Sequence, residues 1–393
     1  MQVNTDTKKI EELLTRGVEN IYPKKEFLEA QLKSGKQLTL YTGYDPTAPT
    51  LHIGHGITML KLRQFQELGH KVIMLIGDFT GMIGDPTDKT SARQKLTRKQ
   101  VLENCKNYKK QTAAILNFGG GNKVEVKYNS KWLAKMNTED LLELASNITV
   151  DQLLERDMFT KRRAEGKPVY LHEFLYPLMQ GYDSVAMNVD GEVGGNDQTF
   201  NMLVGRDLQK IYNKKEKFVL TTKLLVDAGG KKMGKTEGNM VAFSDSAEDM
   251  LGKVMSWTDG MIKNGFELCT TMPMAEVKSL EAANQNPRDL KLKLAYEIVK
   301  TFLGEKFAGK ARDNFVKTFS KKETPDEMRE LKPSRYDIIF AIAEAFGGSR
   351  TQARRDIQGG GVKINGERNT DIYAKIKPGD MIQKGSRFFV KIK

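Results

Sequence analysis

The sequence has little cysteine and no long hydrophobic run. Only two of its 393 residues are cysteines, Cys105 and Cys269, and neither belongs to a C-x-x-C pair or a Cys/His cluster. This spacing indicates neither a disulfide framework nor a zinc site. The most hydrophobic helical stretch, residues 338–346, includes Glu344 and is far shorter than the roughly 20 residues of a spanning helix. We therefore expect no metal-ligating cysteines and no membrane segment.

The first twenty residues also lack the apolar core of a secretory signal. They combine acidic side chains with the spacing of an amphipathic helix, as in MQVNTDTKKIEELLTRGVEN. A cleaved signal instead needs an uninterrupted apolar stretch after a basic start. We expect a cytoplasmic protein.

Basic residues are in excess. The chain has 63 Lys and Arg against 50 Asp and Glu, a net charge of +13. A balance of this kind favours polyanionic partners. Residues 334–393 alone hold twelve Lys and Arg against six Asp and Glu, which makes them the first candidate for contact with nucleic acid.

Strand-like and helix-like segments alternate over residues 1–245. Apolar positions recur at helical spacing in residues 54–68, and strands are predicted at 37–44, 71–76, 124–128 and 184–189. Such alternation predicts an α/β domain with a doubly wound parallel sheet. In sheets of this kind ligands bind at the carboxyl ends of the strands.

The remainder of the chain divides into three parts. Residues 246–320 have a helical pattern and predict a helical domain, and the charged, proline-bounded residues 321–333 predict a linker. Residues 334–393 predict a small α+β domain, with helices at 335–346 and 349–358 before short strands.

The first motif that suggests chemistry is Leu51-His52-Ile53-Gly54-His55, directly after a predicted strand and turn. A helix N-terminus offers N–H donors and a positive dipole to a phosphate, and Gly54 allows close backbone approach. Two imidazoles one turn apart can donate to a phosphate as its charge grows. The alternative is a pair of capping or surface histidines.

The second motif is a basic, glycine-containing stretch, Lys232-Met233-Gly234-Lys235-Thr236. Two lysines and a hydroxyl suit a triphosphate, although a solvated basic turn remains the alternative. Residues 229–236 also match the P-loop pattern formally. A P-loop requires a helix directly afterwards, and residues 237–245 have no helical period, so a P-loop ATPase is disfavoured.

Taken together, the two motifs resemble the paired signatures of class I aminoacyl-tRNA synthetases. Further stretches resemble the bacterial-type tyrosyl-tRNA synthetases, and the tail is similar to the S4 RNA-binding module. The stretches similar to the family are 41–48, 84–86, 176–183 and 194–198, and those similar to the S4 module are 349–357 and 361–366. The resemblance implies a Rossmann-like catalytic domain, a helical anticodon-binding domain and an S4-like domain.

The family resemblance also implies roles for individual residues. The tyrosine site would comprise Tyr41, Asp45, Asp85, Tyr176, Gln180, Asp183 and Gln198. The ATP site would comprise Gly43, Thr47, His52, Gly54, His55, Lys89, Arg93, Gly195, Asp197, Lys232 and Lys235. The catalytic groups would be His52, His55, Lys232, Lys235 and Thr236, and the RNA contacts Arg350, Arg354, Arg355 and Lys363.

Tyr41 and Asp183 would bind the phenol of tyrosine, while Asp85, Tyr176 and Gln180 would hold its ammonium. The i, i+4, i+7 spacing of Tyr176, Gln180 and Asp183 places them on one face of a helix. The alternative for Asp183 is a carboxylate on a helix surface.

By the same resemblance, ATP is a substrate accompanied by Mg²⁺, and the partners are tRNA(Tyr) and a second copy of the chain. No protein metal ligand and no tightly bound organic cofactor are expected. Gly234, Thr236 and Asn196 depart from the commonest family residues without removing a charge.

Two further hypotheses remain open. One is a tryptophan-specific sister enzyme, which the pair Tyr41 and Asp183 disfavours because indole has no group that needs it. The other is a non-catalytic RNA-binding paralogue, which the intact motifs disfavour.

Overall fold

The computed structural model describes residues 2–87, 95–226, 240–283, 286–320, 328–385 and 388–393. The chain divides into two compact units. The first comprises Met1–Ser246 with Lys253–Glu305, and the second Ala247–Gly252 with Lys306–Lys393. Within these described ranges, no helix has the length and apolar character needed to cross a bilayer.

Eleven strands are described. They are β1 (Val18–Tyr22), β2 (Thr39–Tyr44), β3 (Lys71–Ile76), β4 (Glu125–Tyr128), β5 (Gly191–Gly195), β6 (Phe218–Thr222), β7 (Arg329–Leu331), β8 (Val362–Ile364), β9 (Glu367–Asn369), β10 (Met381–Lys384) and β11 (Phe388–Ile392).

The α-helices before residue 246 are α1 (Thr7–Thr15), α2 (Lys25–Lys33), α3 (Ile53–Glu67), α4 (Thr80–Ile83), α5 (Arg98–Cys105), α6 (Tyr108–Thr112), α7 (Ser130–Leu133), α8 (Thr138–Ala145), α9 (Val150–Leu154), α10 (Asp157–Ala164), α11 (Leu171–Met187) and α12 (Thr199–Asn213). Those after it are α13 (Ala247–Met255), α14 (Ile262–Cys269), α15 (Met274–Ala282), α16 (Pro287–Leu303), α17 (Glu305–Ser320), α18 (Ile338–Phe346) and α19 (Arg350–Gln358).

The sheet of the first unit has six strands in the order β1-β6-β5-β2-β3-β4. The five strands from β6 to β4 run parallel, and β1 pairs antiparallel with β6 at the edge. Five of the six residues of β3 are buried, as a parallel strand covered on both faces requires. The predicted parallel sheet is therefore confirmed, and the antiparallel edge strand is an addition to it.

One predicted strand is wrong. Residues 184–189 begin inside α11, which continues to Met187 and ends at Asn188 in the left-handed conformation with φ 47°. The next strand starts later, at Gly191. The stretch is short and apolar, and hydrophobic periodicity alone does not distinguish a buried helix end from a strand in such a stretch.

Helices α11 and α12 approach each other closely at a pair of glycines. A Cβ added at Gly181 would lie 3.2 Å from the Cα of Gly205, and one added at Gly205 the same distance from the Cα of Gly181. Both distances are tighter than ordinary van der Waals contact. The glycines thus allow backbone-to-backbone packing beside the residues of α11 that follow.

The second sheet has five strands in the order β7-β11-β10-β8-β9. Helices α18 and α19 supply apolar residues to its core, among them Ile342 and Ile357. The strand β7 lies inside residues 321–333, the predicted linker, and pairs in parallel with β11. The end of that stretch is therefore part of the sheet, because its backbone groups complete the edge beside β11. The four-part division of the chain as a whole stays a prediction.

Candidate active site

The carboxyl ends of the central strands bring several polar side chains together. Asp45 directly follows β2 and accepts two hydrogen bonds, from Thr80 Oγ1 at 2.7 Å and from the Tyr176 hydroxyl at 2.8 Å. Gly77 follows β3, and a Cβ there would lie 2.0 Å from an oxygen of Asp45. Thr80, Tyr176 and Gly77 therefore surround the Asp45 carboxylate at the carboxyl ends of β2 and β3.

Helix α11 is fixed at its start by a buried ion pair. Arg162 and Glu173 form two parallel N–H to oxygen contacts of 2.7 and 3.0 Å, and both side chains are almost fully buried. Glu173 also accepts from the backbone N–H of Tyr170, which caps the helix. This anchoring fixes the position of Tyr176, the first substrate-site candidate on the helix.

Asp183 lies near the end of α11 and is only 3% exposed. Its two oxygens accept from the indole N–H of Trp132 at 2.7 Å and from the amide of Asn129 at 3.2 Å. Burial raises the pKa of Asp183 well above its usual value, and these two hydrogen bonds act against that rise. The surface-carboxylate alternative for Asp183 is thus wrong.

Tyr41, in β2, is likewise buried. Its hydroxyl shares a 2.9 Å hydrogen bond with Ser184 Oγ. Burial raises the pKa of Tyr41 well above the usual tyrosine value, with the charge of Glu192 acting in the same direction. The hydroxyl therefore keeps its proton and can act as a donor at neutral pH.

A second buried ion pair lies behind Tyr41. Lys217 Nζ donates to Ser184 Oγ at 2.8 Å and pairs with one oxygen of Glu192, while Gln180 donates to the other at 3.1 Å. Tyr41, Ser184, Lys217, Glu192 and Gln180 form a continuous hydrogen-bonded chain, which we call the lysine relay. It links a predicted phenol-binding residue to a predicted ammonium-binding residue.

Asp85 and Gln198 meet at the same edge. Gln198 follows β5 and donates to Asp85 at 2.7 Å, and Thr87 donates to the other oxygen of Asp85 through its N–H and its hydroxyl. The structure thus joins two residues that the sequence predicts for the tyrosine site and that are 113 positions apart.

The histidines of the first motif lie at the start of α3. His52 is the N-cap residue, its imidazole centroid lies 3.9 Å from that of His55, and its backbone N–H donates to His55 Nδ1 at 3.2 Å. A Cβ at Gly54 would lie 3.0 Å from the His52 ring, so a larger residue there would push the ring aside and glycine does not. The predicted helix terminus with two adjacent imidazoles is present.

The segment around Ala242, which follows the second motif in the sequence, pairs with the first motif at His52. His52 and Ala242 form an isolated antiparallel bridge, supported by hydrogen bonds from Ile53 N to Val241 O at 3.0 Å and from Phe243 N to Leu51 O at 2.9 Å. The chain therefore lies beside the first histidine at residues 241–243.

Of the other residues predicted for the ATP site, some lie at the strand ends and the rest lie outside the described part of the chain. Gly43 and Thr47 are exposed beside the end of β2, and Gly195 and Asp197 are partly buried at the end of β5. A Cβ at Gly195 would lie 2.4 Å from an Asp197 oxygen. The predicted residues that lie outside the described part of the chain are Lys89, Arg93, Lys232, Lys235 and Thr236, together with the stretch 229–236 that matches a P-loop.

The predicted RNA contacts belong to the second unit. Arg350, Arg354 and Arg355 are exposed on α19, and Lys363 is exposed on β8. The Arg350 guanidinium lies 4.2 Å from the centroid of the Phe340 ring, which holds it by a cation–π contact. These four side chains, which we call the basic face, remain a predicted interface.

Sequence reasoning missed five residues that contact predicted site residues, four of them buried and one, Trp132, partly buried. Asn129 directly follows β4 and Trp132 lies in the next helix, α7, so a stricter use of the strand-end rule could have found this segment. Ser184 adjoins Asp183 on α11. Glu192 and Lys217 gave no signal in the sequence, because a single charged residue at the start of an apolar strand is normally exposed to solvent.

In the described ranges, no group of three or more His, Cys, Asp and Glu side chains is placed to hold a metal ion. Cys105 and Cys269 are both buried free thiols.

Comparison with known families decides the assignment. The family model for tRNA synthetases class I (W and Y) matches residues 33–320, and the S4 domain model matches residues 341–382. The tyrosine–tRNA ligase of Haemophilus ducreyi is 45% identical over 386 residues, which cover 96% of each chain. The chain belongs to the tyrosine–tRNA ligase family. That of Thermotoga maritima is 42% identical over 97% of this chain and 96% of its own.

Solved structures of the family agree. C-terminally truncated mitochondrial tyrosyl-tRNA synthetases of Aspergillus nidulans and Coccidioides posadasii match with TM-scores of 0.67 and 0.65 at 25% and 26% identity. They cover 79% and 78% of this chain, which covers 94% and 91% of theirs. The predicted family, fold class and enzyme class are confirmed: the chain is a class I aminoacyl-tRNA synthetase with an S4 domain.

Proposed function

We propose that the chain forms tyrosyl-adenylate and pyrophosphate from tyrosine and ATP and then transfers tyrosine to the terminal adenosine of tRNA(Tyr). The observation that best supports this is the pair Tyr41 and Asp183. Both are buried, and Tyr41 is a protonated donor while Asp183 is held by donors on both oxygens. A phenol offers one oxygen to accept and one proton to donate, and so matches the two groups together.

Phenylalanine would fit the same volume but would offer neither an oxygen to the Tyr41 proton nor a proton to the Asp183 carboxyl group. A buried polar group without a partner costs about 1–3 kcal/mol, so tyrosine is preferred by the sum of two such terms. Asp85, Tyr176 and Gln180 hold the substrate ammonium, with Asp45 and Gln198 orienting them. The hydrogen bonds from Tyr176 to Asp45 and from Gln198 to Asp85 support that arrangement.

ATP binds along the exposed side of the strand ends, against Gly43, Thr47, Gly195 and Asp197. The start of α3 supplies His52, Gly54 and His55 to its phosphates. Lys89 and Arg93 approach the pyrophosphate end. Lys235 precedes Val241 by six residues, a chain length of at most about 21 Å, and the bridge to His52 supports a shared role for both motifs.

The first reaction is in-line attack of the tyrosine carboxylate on the α-phosphate, with pyrophosphate as leaving group. The substrate is itself the nucleophile, so the side chains position the reactants and stabilise charge. His52, His55, Lys232, Lys235 and Thr236 donate to the phosphates as negative charge grows on them. Mg²⁺ would neutralise phosphate charge, entering with ATP and held mainly by phosphate oxygens.

The basic face binds tRNA phosphates. Exposed arginines on one helix suit contacts that position RNA without recognising its sequence. We further propose four parts in the chain: residues 1–245 for catalysis, 246–320 for the anticodon, 321–333 as a linker and 334–393 for RNA binding.

We also propose a cytoplasmic homodimer. Leu142, Val150 and Leu171 are large apolar side chains that are 67–77% exposed within a stretch of thirty residues, which supports a partner surface there. Light scattering at micromolar concentration tests this, with the substitution Leu171→Glu expected to yield monomers.

Pyrophosphate exchange tests the proposed reaction. Labelled pyrophosphate should enter ATP when tyrosine is present and not when tryptophan replaces it. Exchange with tryptophan alone would establish the sister specificity, and exchange with no amino acid would establish the non-catalytic paralogue.

A further inference from the structure

The lysine relay contains a buried cation that none of the proposed substrate contacts uses. Lys217 has no solvent-exposed surface, and Glu192 is 2% exposed. Burying an ion pair is costly unless each charge is well bonded, and an apolar pair of similar volume is often no less stable. The position of this pair directly behind Tyr41 therefore calls for a functional explanation.

The explanation begins with the direction of the hydrogen bonds. A lysine ammonium has three N–H donors and no acceptor. Ser184 Oγ lies 2.8 Å from Lys217 Nζ and must accept from it. The serine proton is then directed to the remaining neighbour, the Tyr41 oxygen at 2.9 Å. Since Tyr41 accepts from Ser184, its own proton points away from Ser184, where the Glu192 carboxylate and a ligand in the pocket are the two acceptors.

The charge on Lys217 is essential to this order. Burial lowers the pKa of Lys217, and the Glu192 carboxylate acts against that lowering. Glu192 accepts at both oxygens, from Lys217 and from Gln180. Lys217 Nζ also lies 5.9 Å from the Tyr41 ring centroid, so its charge faces the ring as well.

We propose that Lys217 is a specificity-determining positioning residue, which acts through Ser184 to orient the Tyr41 hydroxyl as a donor toward the substrate phenol. The inference rests on the proposed tyrosine pocket. Without the ammonium, Ser184 can turn to accept from Tyr41, and the Tyr41 proton is then withdrawn from the substrate.

The test compares kcat/KM for tyrosine and for phenylalanine in pyrophosphate exchange. Lys217→Met should lower the tyrosine-to-phenylalanine ratio by about tenfold, the value of one hydrogen bond, mainly through KM for tyrosine. The KM for ATP and the kcat/KM for phenylalanine should not change. Loss of folded protein would lower the rates for both amino acids equally and leave the ratio constant.

Ser184→Ala provides a readout that a structural role would not affect. Added to Lys217→Met, it removes the competing acceptor and should restore most of the lost ratio, because Tyr41 can again donate to the substrate. Lys217→Arg, which keeps a donor-only cation, should retain the ratio. Lys61→Met is the matched control: Lys61 is 4% exposed, bonds to the carbonyls of Leu13 and Arg16, and should leave the ratio unchanged.

If Lys217→Met does not fold, the double variant Lys217→Gln with Glu192→Gln replaces it, since two amides remove the charges and keep the volume. An unchanged ratio in folded Lys217→Met, or in the double-amide variant that replaces it, overturns the relay, as does a fall that Ser184→Ala does not reverse. Tyr41→Phe separates the two proposals: if it too leaves the ratio unchanged, the tyrosine pocket itself is misassigned.

Discussion

The tyrosine pocket and the basic face recognise their proposed ligands by opposite physical means. In the pocket, Tyr41 and Asp183 are buried and already hydrogen-bonded to the protein. On the basic face, Arg354 and Arg355 are exposed to solvent. Desolvated groups make an unmatched ligand costly, whereas solvated cations attract any polyanion and are screened by salt.

The difference shows which property each region can supply. A choice between two amino acids that differ by one hydroxyl requires buried partners whose geometry is fixed beforehand. A long RNA is instead held by many weak contacts, each of which positions the backbone. We expect mutations in the pocket to change which substrate reacts, and mutations on the basic face to change how tightly tRNA is held.

Asp183→Asn should have the largest effect. It replaces an oxygen acceptor by an amide N–H₂ group, which faces the donors of Trp132 and Asn129. We expect kcat/KM for tyrosine to fall by about 5- to 150-fold, as for a buried polar group left without its hydrogen bond, with little change in KM for ATP. Pyrophosphate exchange at varied tyrosine and ATP measures both.

Asp78→Asn is the matched control for Asp183→Asn. Asp78 is 2% exposed and accepts from Ser130, but has no proposed contact with substrate. Its substitution should lower stability without a selective effect on tyrosine. Equal losses toward tyrosine and ATP in Asp183→Asn would contradict its proposed role.

Replacing Arg354 and Arg355 together by alanine should have a smaller effect of a different kind. We expect tRNA affinity to weaken by about tenfold, and its logarithmic dependence on salt to become shallower by about one to two units. Tyrosine-dependent pyrophosphate exchange should be unaffected. Filter binding over a salt series measures the slope.

Lys375→Ala serves as the control for the two arginines, since Lys375 is exposed but paired with Asp337 at 3.3 Å. A slope that stays constant in the arginine variant, or that changes equally in both variants, would place the RNA surface elsewhere.

The last expected effect concerns acid stability rather than a ligand, and it too separates the two units. His70 in the first unit is fully buried, and its Nδ1 accepts from the backbone N–H of Leu38 at 3.2 Å. Burial lowers the pKa of His70 from 6.5 to about 4. Between those values the unfolded chain binds a proton that the folded chain refuses, so stability falls as pH decreases through this range, by at most about 1.4 kcal/mol per pH unit.

His70→Gln keeps an acceptor without the titration and should reduce that loss. Urea unfolding at pH 7 and pH 5, followed by tryptophan fluorescence, reports the first unit, because Trp132 and Trp257 both belong to it. The second unit contains no histidine. His172→Gln, at a partly buried position, is the control. An acid loss that is undiminished in His70→Gln would assign the effect to other groups.

The fold was largely predictable from the sequence because its strands are short apolar runs between helices of regular period. Residues 71–76 and 125–128 form β3 and β4 within one residue of expectation. Residues 184–189 were misassigned because a helix end and a buried strand share the same apolar composition. The pairing of β7 depends on a distant strand, which local pattern does not indicate.

The candidate site was predictable where a motif resembles the family and unpredictable where burial alone gives a residue its role. The histidines of α3, and Tyr176, Gln180 and Asp183 of α11, occupy the predicted elements. The lysine relay was invisible in the sequence, because whether Lys217 meets solvent or a carboxylate is decided by tertiary packing.

The glycine pair at the crossing of α11 and α12 has a consequence for engineering. A Cβ at Gly205 would lie 2.8 Å from Lys217 Nζ and 3.0 Å from Ser184 Oγ, although Gly205 has no proposed contact with substrate. A methyl group there would displace the side chains of Lys217 and Ser184, although Tyr41 and Asp183 themselves would be unchanged. Libraries that seek a new amino-acid specificity should therefore hold Gly181 and Gly205 constant and randomise the pocket in front of them.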